Sequence, residues 1–185
     1  MLTRRFLLSS TALLATLPAA ARAQAPDTDT GETRASSPDG VLSVEVRVNG
    51  EGRAEYSVSR LGRTIIAPSR LGFLLTDAPK LERNFTVTAD APTRHDETWE
   101  QPWGEQRFMR NRYTQLRVHL TERSAPNRRL DVVFRLYDDG LGFRYEFPEQ
   151  TSLASVNIAA ELTEFAIADA GTAWWIPAFE WNREE

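Results

Sequence analysis

Hydrophobic and polar residues alternate along most of this chain, with the period of two that is typical of half-buried β-strands. In residues 41–49 (VLSVEVRVN) every second residue from Leu42 onwards is apolar and the residues between are polar. The same alternation recurs at 54–60, 84–90 and 113–123. After residue 23 no stretch shows a sustained helical spacing of apolar residues. The pattern predicts an all-β fold of antiparallel strands, either a sandwich or a barrel.

The clearest pair of strands is a hairpin predicted over residues 128–149, where apolar residues alternate before and after the sequence DDG at 138–140. Because aspartate and glycine suit turn geometry, we interpret Asp138 and Asp139 as structural residues. The segment 161–169 (ELTEFAIAD) is predicted as one more strand, or as a helical turn followed by a strand.

The first 23 residues have the features of a secretory signal peptide. A charged start (MLTRRF) precedes an apolar run, and an A-x-A cleavage sequence ends at Ala23. A membrane anchor is the alternative, but the run is short and is interrupted by polar residues and proline. The pair Arg4-Arg5 keeps twin-arginine export open. We expect a secreted, periplasmic protein that has no membrane attachment after cleavage.

Residues 24–37 are polar and contain proline and glycine, so we predict a disordered linker there. Order is expected to begin at the turn sequence SPDG at 37–40. The remaining residues, 38–185, form one predicted β-sandwich domain.

Composition narrows the chemistry further. The chain has 185 residues, a formal net charge of −4 and no cysteine. An acidic balance disfavours nucleic acid as a partner, since nucleic-acid binding requires basic surfaces. Without cysteine, thiol catalysis, zinc–thiolate sites and disulfide bonds are excluded.

Candidate binding residues lie in a polar stretch between predicted strands, residues 96–113, which we predict to be a long loop. It carries Trp99, Trp103 and Tyr113, with Glu105 beside Trp103. An aromatic ring beside a carboxylate is typical of a sugar-binding site. The alternative is that its rings fix the loop onto the sheet. The two histidines, His95 and His119, are interpreted as ordinary surface residues.

Residues 171–185 (GTAWWIPAFEWNREE) combine aromatic rings with acids. Trp175 and Trp181 are further candidates for carbohydrate binding. The glutamate and asparagine oxygens near the end suit calcium, although their spacing alone does not define a metal site.

Six segments also occur together and in order: SPDG at 37–40, PSRLGFLL at 68–75, DETWEQPWGEQRFMRNRY at 96–113, RRLDVVFRLYDDGLGFRYEFPEQ at 128–150, ELTEF at 161–165 and AWWIPAFEWNREE at 173–185. Together they resemble the N-terminal domain of glycoside hydrolase family 97. The W-G-E…R-N-x-Y segment and the D-D-G-x-G-F-R-Y hairpin are the most specific parts of this resemblance.

The resemblance implies a galactose-mutarotase-like β-super-sandwich that precedes a catalytic (β/α)₈ barrel. Such enzymes are secreted bacterial α-glucosidases and α-galactosidases that act on oligosaccharides. Their catalytic carboxylates and most ligands of an active-site calcium ion lie on the barrel. One calcium ligand is a glutamate of the N-terminal domain, shortly after the W-W-I-P segment. The best match here is Glu185, with Glu184 as the second choice, and no catalytic residue is assigned to this chain.

We therefore expect the N-terminal part of a longer α-glycosidase, with a sandwich that is incomplete at its C-terminus. On this view the chain alone is inactive, because the carboxylates that cleave the glycosidic bond would lie on the barrel. One alternative is a stand-alone periplasmic carbohydrate-binding module that stacks sugars on its tryptophans. Another is a structural β-sandwich that pairs with a different chain.

Overall fold

The fold is given by a computed structural model that describes residues 31–172 of the chain. The strands in this range are β1 (Glu32–Ser36), β2 (Leu42–Val48), β3 (Ala54–Arg60), β4 (Arg63–Arg70), β5 (Phe73–Leu75), β6 (Phe85–Ala89), β7 (Thr93–Glu100), β8 (Phe108–Glu122), β9 (Arg129–Leu136), β10 (Leu141–Glu146) and β11 (Ile158–Glu161). The one helical element described is a 3-10 turn at Thr151–Leu153. None of the helical structure between residues 31 and 172 could cross a membrane. The all-β prediction is confirmed.

The first sheet contains four antiparallel strands in the order β1-β2-β3-β4. The alternation that predicted β2 is reproduced in its burial, since Val44 and Val46 are fully buried while Glu45 between them is partly exposed. On β3, Tyr56 and Val58 are buried on the same side.

The second sheet has the order β10-β9-β8-β6, and β7 also pairs with β8. Strand β8 is fifteen residues long. Its first half pairs with β7 and its second half with β6, while β9 pairs with β8 from Thr114 to Thr121. The predicted hairpin of β9 and β10 is confirmed, and its turn is closed by a 2.8 Å hydrogen bond from the Tyr137 N–H to the Gly140 carbonyl oxygen.

The core lies between the two sheets, which makes the fold a β-sandwich, as predicted. Tyr56 of the first sheet approaches Phe134 and Phe143 of the second, with ring centroids 6.1 and 5.3 Å apart. The inward side chains of β8, Leu116, Val118 and Leu120, are completely buried. Burial of apolar surface on this scale is the main favourable contribution to folding.

A small third sheet pairs β5 with β11. The chain then continues beside β4, where the Ala67 N–H donates to the Ala166 carbonyl oxygen at 2.8 Å and the Ala168 N–H donates to the Ile65 carbonyl oxygen at 3.1 Å. The segment 161–169 is therefore extended, and the alternative of a helical turn at this point is wrong.

The prediction of a disordered linker over 24–37 is wrong for residues 32–36, which form β1. This strand pairs with β2 along its whole length, from Glu32 opposite Arg47 to Ser36 opposite Ser43. It contributes one apolar side chain, Ala35, to the core. Backbone hydrogen bonds rather than apolar periodicity hold such an edge strand, so composition did not reveal it. Residues 24–30 lie outside the described range.

The connection between β8 and β9 contains a buried ion pair. Arg128 donates to both carboxylate oxygens of Glu122, from Nε at 2.8 Å and from Nη2 at 2.6 Å. The guanidinium also donates to the carbonyl oxygens of Pro79 at 2.6 Å and Lys80 at 3.1 Å. The side chains of Arg128 and Glu122 are only 3% and 10% exposed. This pair links the β8–β9 hairpin to the segment that follows β5.

Candidate functional site

The region predicted as a long polar loop is a two-stranded antiparallel ribbon. Strand β7 pairs with the first half of β8, from Thr93 opposite Gln115 to Glu100 opposite Phe108. The loop prediction is wrong because every residue of β7 is exposed, so the apolar alternation that marks a strand is missing. Residues 93–115 are termed the ribbon.

Charged side chains hold the two strands of the ribbon in register. Arg110 donates two hydrogen bonds to the carboxylate of Asp96, at 2.9 and 2.7 Å. Hydrogen bonding from Arg110 holds the pKa of the Asp96 carboxyl below its usual value. Nearer the turn, Arg107 donates to Glu100 at 2.7 Å. Asp96 and Arg110 occupy diagonal positions of the ladder, where opposite charges contribute to the pairing of the strands.

The turn of the ribbon carries two of the predicted carbohydrate-binding residues, Trp103 and Glu105. Trp103 is 82% exposed, so it does not fix this segment onto the sandwich. Within the turn, the Gln101 side-chain amide donates to the Gln106 carbonyl oxygen at 2.6 Å. Gly104 adopts a φ of +119°, which favours glycine at this position.

Four predicted site residues lie outside the described residues: Trp175 and Trp181, predicted for carbohydrate binding, and Glu184 and Glu185, predicted as calcium ligands.

One face of the ribbon combines an exposed ring with polar groups. Residues that oppose each other across an antiparallel ladder project to the same side, as Glu97 does with Asn111 and Trp99 does with Met109. Asn111 donates to Glu97 at 2.7 Å and accepts a hydrogen bond from the Tyr137 hydroxyl at 2.9 Å. Trp99 is 48% exposed. This surface, defined by Glu97, Trp99, Asn111 and Tyr137, is termed the outer face of the ribbon.

The base of the outer face is closed by packed rings. Tyr113 is only 5% exposed, because the His95 ring stacks on it at a centroid distance of 4.7 Å and the Arg135 guanidinium lies 4.7 Å from its ring centre. Tyr137 contacts the same ring at 5.3 Å. His95 is exposed, as predicted for a surface residue. The Tyr113 ring is therefore covered, whereas the Trp99 ring is accessible.

The opposite face of the ribbon is tied to the sandwich by Arg112. Its guanidinium donates to Asp39 at 2.8 Å and to Asp138 at 3.5 Å. Hydrogen bonding from Arg112 is the main cause of the lowered pKa of Asp39. The Ser37 hydroxyl donates to Asp138 at 2.6 Å. Asp138 is thus a structural turn residue, as predicted, and it also connects the turns after β1 and β9.

A second polar cluster surrounds His119 on the outer surface of the second sheet. Its ring nitrogens lie 2.9 Å from Asp131 and 3.2 Å from Asp90, and Arg117 donates to Asp131 at 3.0 Å. Burial of His119 lowers its pKa, but the hydrogen bonds to Asp131 and Asp90 outweigh this and raise it. His119 thus lies on the surface, as predicted, but it is held there by two carboxylates. Its partners lie on a neighbouring strand and in the β6–β7 connection, which strand periodicity does not reveal.

Among residues 31–172 the candidate site is a binding surface. No group of three or more histidine, aspartate or glutamate side chains between residues 31 and 172 is arranged to hold a metal ion. The carboxylates of Asp90, Asp131, Asp96 and Asp138 are engaged with basic or hydroxyl side chains. We assign to this range no pair of carboxylates that could act across a glycosidic bond. The outer face of the ribbon instead offers a ring and hydrogen-bonding groups to a ligand.

Comparison with known proteins identifies the family. The family model described as "Glycosyl-hydrolase 97 N-terminal" matches residues 35–185. The chain therefore belongs to the family of N-terminal domains of glycoside hydrolase family 97. The match begins within β1, which agrees with the inclusion of that strand in the folded domain.

Similar proteins include a probable retaining α-galactosidase from Streptomyces bingchenggensis, 31% identical over 91% of this chain and 25% of that protein. A glycoside hydrolase family 97 enzyme from Pseudoalteromonas sp. strain K8, solved in complex with acarbose, aligns with a TM-score of 0.74 and 33% identity over 82% of this chain and 23% of that one. A β-arabinopyranosidase structure aligns with a TM-score of 0.65 and 29% identity, over 73% of this chain and 21% of that one. The chain spans about a quarter of the length of these relatives.

Proposed function

We propose that this chain is the N-terminal domain of a secreted, calcium-dependent α-glycosidase of the α-glucosidase or α-galactosidase type. The observation that carries the proposal is the family match from residue 35 to residue 185, together with similarity to enzymes about four times as long. The domain would cap a catalytic (β/α)₈ barrel, and the barrel would supply the two carboxylates that cleave the glycosidic bond.

The proposed substrate is an oligosaccharide. Two structures of the Pseudoalteromonas enzyme, in complex with acarbose and with panose, support a carbohydrate ligand for the family. The similarity to a probable retaining α-galactosidase keeps both α-glucosides and α-galactosides as candidates.

Calcium is proposed as the cofactor, with Glu185 as the protein ligand that this domain contributes and Glu184 as the second choice. The proposal rests on the family resemblance and on the preference of calcium for carboxylate oxygens. When bound, the ion would supply positive charge at the catalytic site of the whole enzyme. Among residues 31–172 no group of three or more histidine, aspartate or glutamate side chains is arranged to hold a metal ion, and Glu184 and Glu185 lie outside that range.

The test uses the enzyme encoded by the full reading frame. Replacing Glu185→Ala should lower calcium affinity about tenfold or more, because one of a few carboxylate ligands is lost, while the melting temperature measured at saturating calcium stays unchanged. Glu184→Ala is the matched control, since it removes the neighbouring carboxylate. Calcium binding would be followed by calorimetry. Wild-type calcium affinity in both variants would show that neither glutamate is a ligand.

Export to the periplasm is proposed from the signal-peptide features of residues 1–23. Fractionation of the producing bacterium tests this proposal directly. Recovery of the protein in the cytoplasm, with residues 1–23 still attached, would contradict it.

A stand-alone carbohydrate-binding module is the second candidate function. The exposed aromatic residues of the ribbon, Trp99 and Trp103, favour it, because exposed rings are the usual stacking surfaces for sugars. A single assay distinguishes the two functions. A module of this kind would bind saccharides but would release no sugar from an α-glucoside or α-galactoside at any calcium concentration.

A further inference from the structure

We propose that the outer face of the ribbon is an oligosaccharide-binding surface in which Trp99 is the stacking platform. The inference rests on the proposed function in assigning a carbohydrate ligand to the protein. It goes further by placing the site on Glu97, Trp99, Asn111 and Tyr137. Of the tryptophans that the sequence suggested, this site takes Trp99 and leaves Trp103 in the turn, and its polar partners Glu97, Asn111 and Tyr137 come from the strand register.

The first argument is the accessibility of the ring. Trp99 is 48% exposed, and among the described residues no other ring packs against it. The neighbouring Tyr113 ring is covered by His95 and Arg135 and cannot accept a ligand. A half-exposed indole on a β-ladder offers a flat apolar surface to a ligand. Because an aromatic side chain has few rotatable bonds, little conformational entropy is lost when the ligand binds.

The second argument is the unused hydrogen-bonding capacity beside the ring. Glu97 lies two residues before Trp99 and so projects to the same face. One of its oxygens accepts from Asn111, and the Asn111 oxygen accepts from Tyr137. A carboxylate has two acceptor oxygens and a side-chain amide has two N–H groups. The second oxygen of Glu97 and the second N–H of Asn111 are therefore available to sugar hydroxyls.

The third argument is the pre-organisation of these polar groups. The chain of hydrogen bonds from the Tyr137 hydroxyl through Asn111 to Glu97 fixes the orientation of the amide, at 2.9 and 2.7 Å. Groups that are already fixed lose little freedom when a ligand binds, which raises affinity. Tyr137 belongs to the β9–β10 connection of the sandwich body, so the ribbon side chains are held from outside the ribbon.

Charge decides the class of ligand. The charged side chains on the outer face and at its base are Glu97 and Arg135, whose opposite charges cancel. The Arg135 guanidinium already lies over the Tyr113 ring. The remaining arginines of the ribbon strands, Arg94, Arg110 and Arg112, pair with residues of the other face. A face without net charge suits a neutral saccharide better than nucleic acid or an anionic membrane surface, both of which require clustered basic residues.

The length of the surface favours an oligosaccharide. The outer face together with its base extends from His95 to Trp99, an advance of four residues or about 13 Å at the rise of a β-strand. A platform of this length exceeds a single pyranose ring. A trisaccharide that stacks one ring on Trp99 could therefore place a second beside Glu97 and Asn111.

The experiment titrates the full chain with three neutral trisaccharides, panose, maltotriose and raffinose, and measures binding by calorimetry and tryptophan fluorescence. We expect saturable binding of at least one of them. Replacing Trp99→Ala should weaken that binding about tenfold or more, as for an aromatic residue at the centre of an interface. Trp99→Phe, which retains a ring, should weaken it less.

Trp103→Ala tests the turn separately. Phe108→Ala is the matched control, because it removes an exposed aromatic residue from the opposite face of the same ribbon. It should leave the affinity unchanged, and the melting temperature of each variant checks that it folds. The proposal is overturned if none of the three sugars binds saturably, or if Trp99→Ala binds as wild type does. Loss of binding in Trp103→Ala alone would move the site to the turn. Each of these outcomes leaves the calcium result for Glu185 unaffected, so failure of this proposal can be told from failure of the proposed function.

Discussion

The buried ion pair between Arg128 and Glu122 provides a sharp test of the fold. Replacing Arg128→Met keeps most of the apolar stem but leaves the Glu122 carboxylate without its bidentate partner, in a position where its side chain is only 10% exposed. Removing one member of a buried pair typically costs about 3–5 kcal/mol, because an uncompensated charge remains. The Arg128 backbone N–H still donates to Glu122 at 3.2 Å, so we expect a value near the lower limit, about 3 kcal/mol.

The assay is urea unfolding followed by far-ultraviolet circular dichroism. For a domain of this size a loss of about 3 kcal/mol corresponds to a fall in the urea midpoint of roughly 1.5 M, at a slope of about 2 kcal/mol per M. Arg110→Met is the control, because its partner Asp96 and Arg110 itself are both more than half exposed. It should shift the midpoint much less. A loss of less than about 1 kcal/mol for Arg128→Met would refute the reasoning, since that is the range of an exposed pair.

Two further predictions concern His119 and Gly72. Because hydrogen bonds to Asp131 and Asp90 raise the pKa of His119 in the folded state, its stabilising contribution should be complete below the unfolded pKa of about 6.5 and be lost as the pH rises through the folded value. The free energy of unfolding of wild type and of His119→Asn would be measured between pH 5 and pH 9, a range of about four units around that pKa. Only the wild type should show this pH dependence, and equal profiles would contradict the prediction. Gly72→Ala should destabilise the protein by about 1–3 kcal/mol, because φ is +141° and the added Cβ would lie 2.7 Å from the Leu81 carbonyl oxygen. Gly142→Ala, with open space around its Cβ, is the control, and equal melting temperatures for both variants would argue against the backbone geometry at Gly72.

The strands that build the core could be predicted from the sequence because burial on one face produces apolar alternation. Val44, Val46 and Val58 alternate with polar residues, and all three are buried. The hairpin of β9 and β10 could be predicted equally well, because turn residues separate two runs of apolar alternation with the same period. In these segments local pattern and tertiary packing agree.

The ribbon and β1 could not be predicted because neither contributes much to the core. β7 has no buried residue, and β1 buries only Ala35. Their pairing depends on backbone hydrogen bonds and on cross-strand contacts such as Asp96 with Arg110, fourteen residues apart in sequence. Sequence periodicity carries no signal for such contacts.

The sequence indicates the segment that carries the candidate site but not the face on which its residues meet. The aromatic and acidic residues of the stretch from 96 to 113 predict a binding site, but the side of the chain to which each residue projects depends on the strand register. That register places Trp99 with Glu97 and Asn111 on one face and leaves Trp103 in the turn. Tyr137 joins the face from the next connection, a long-range contact that no local motif indicates.

The central claim, that this domain belongs to a calcium-dependent α-glycosidase, is tested most directly by one measurement on the product of the full reading frame. Hydrolysis of p-nitrophenyl α-glucoside and α-galactoside would be followed before and after calcium is removed with a chelator. The account predicts activity on at least one substrate, its loss on calcium removal and its recovery when calcium is restored. Activity that is indifferent to calcium, or no hydrolysis of either substrate, would contradict the account.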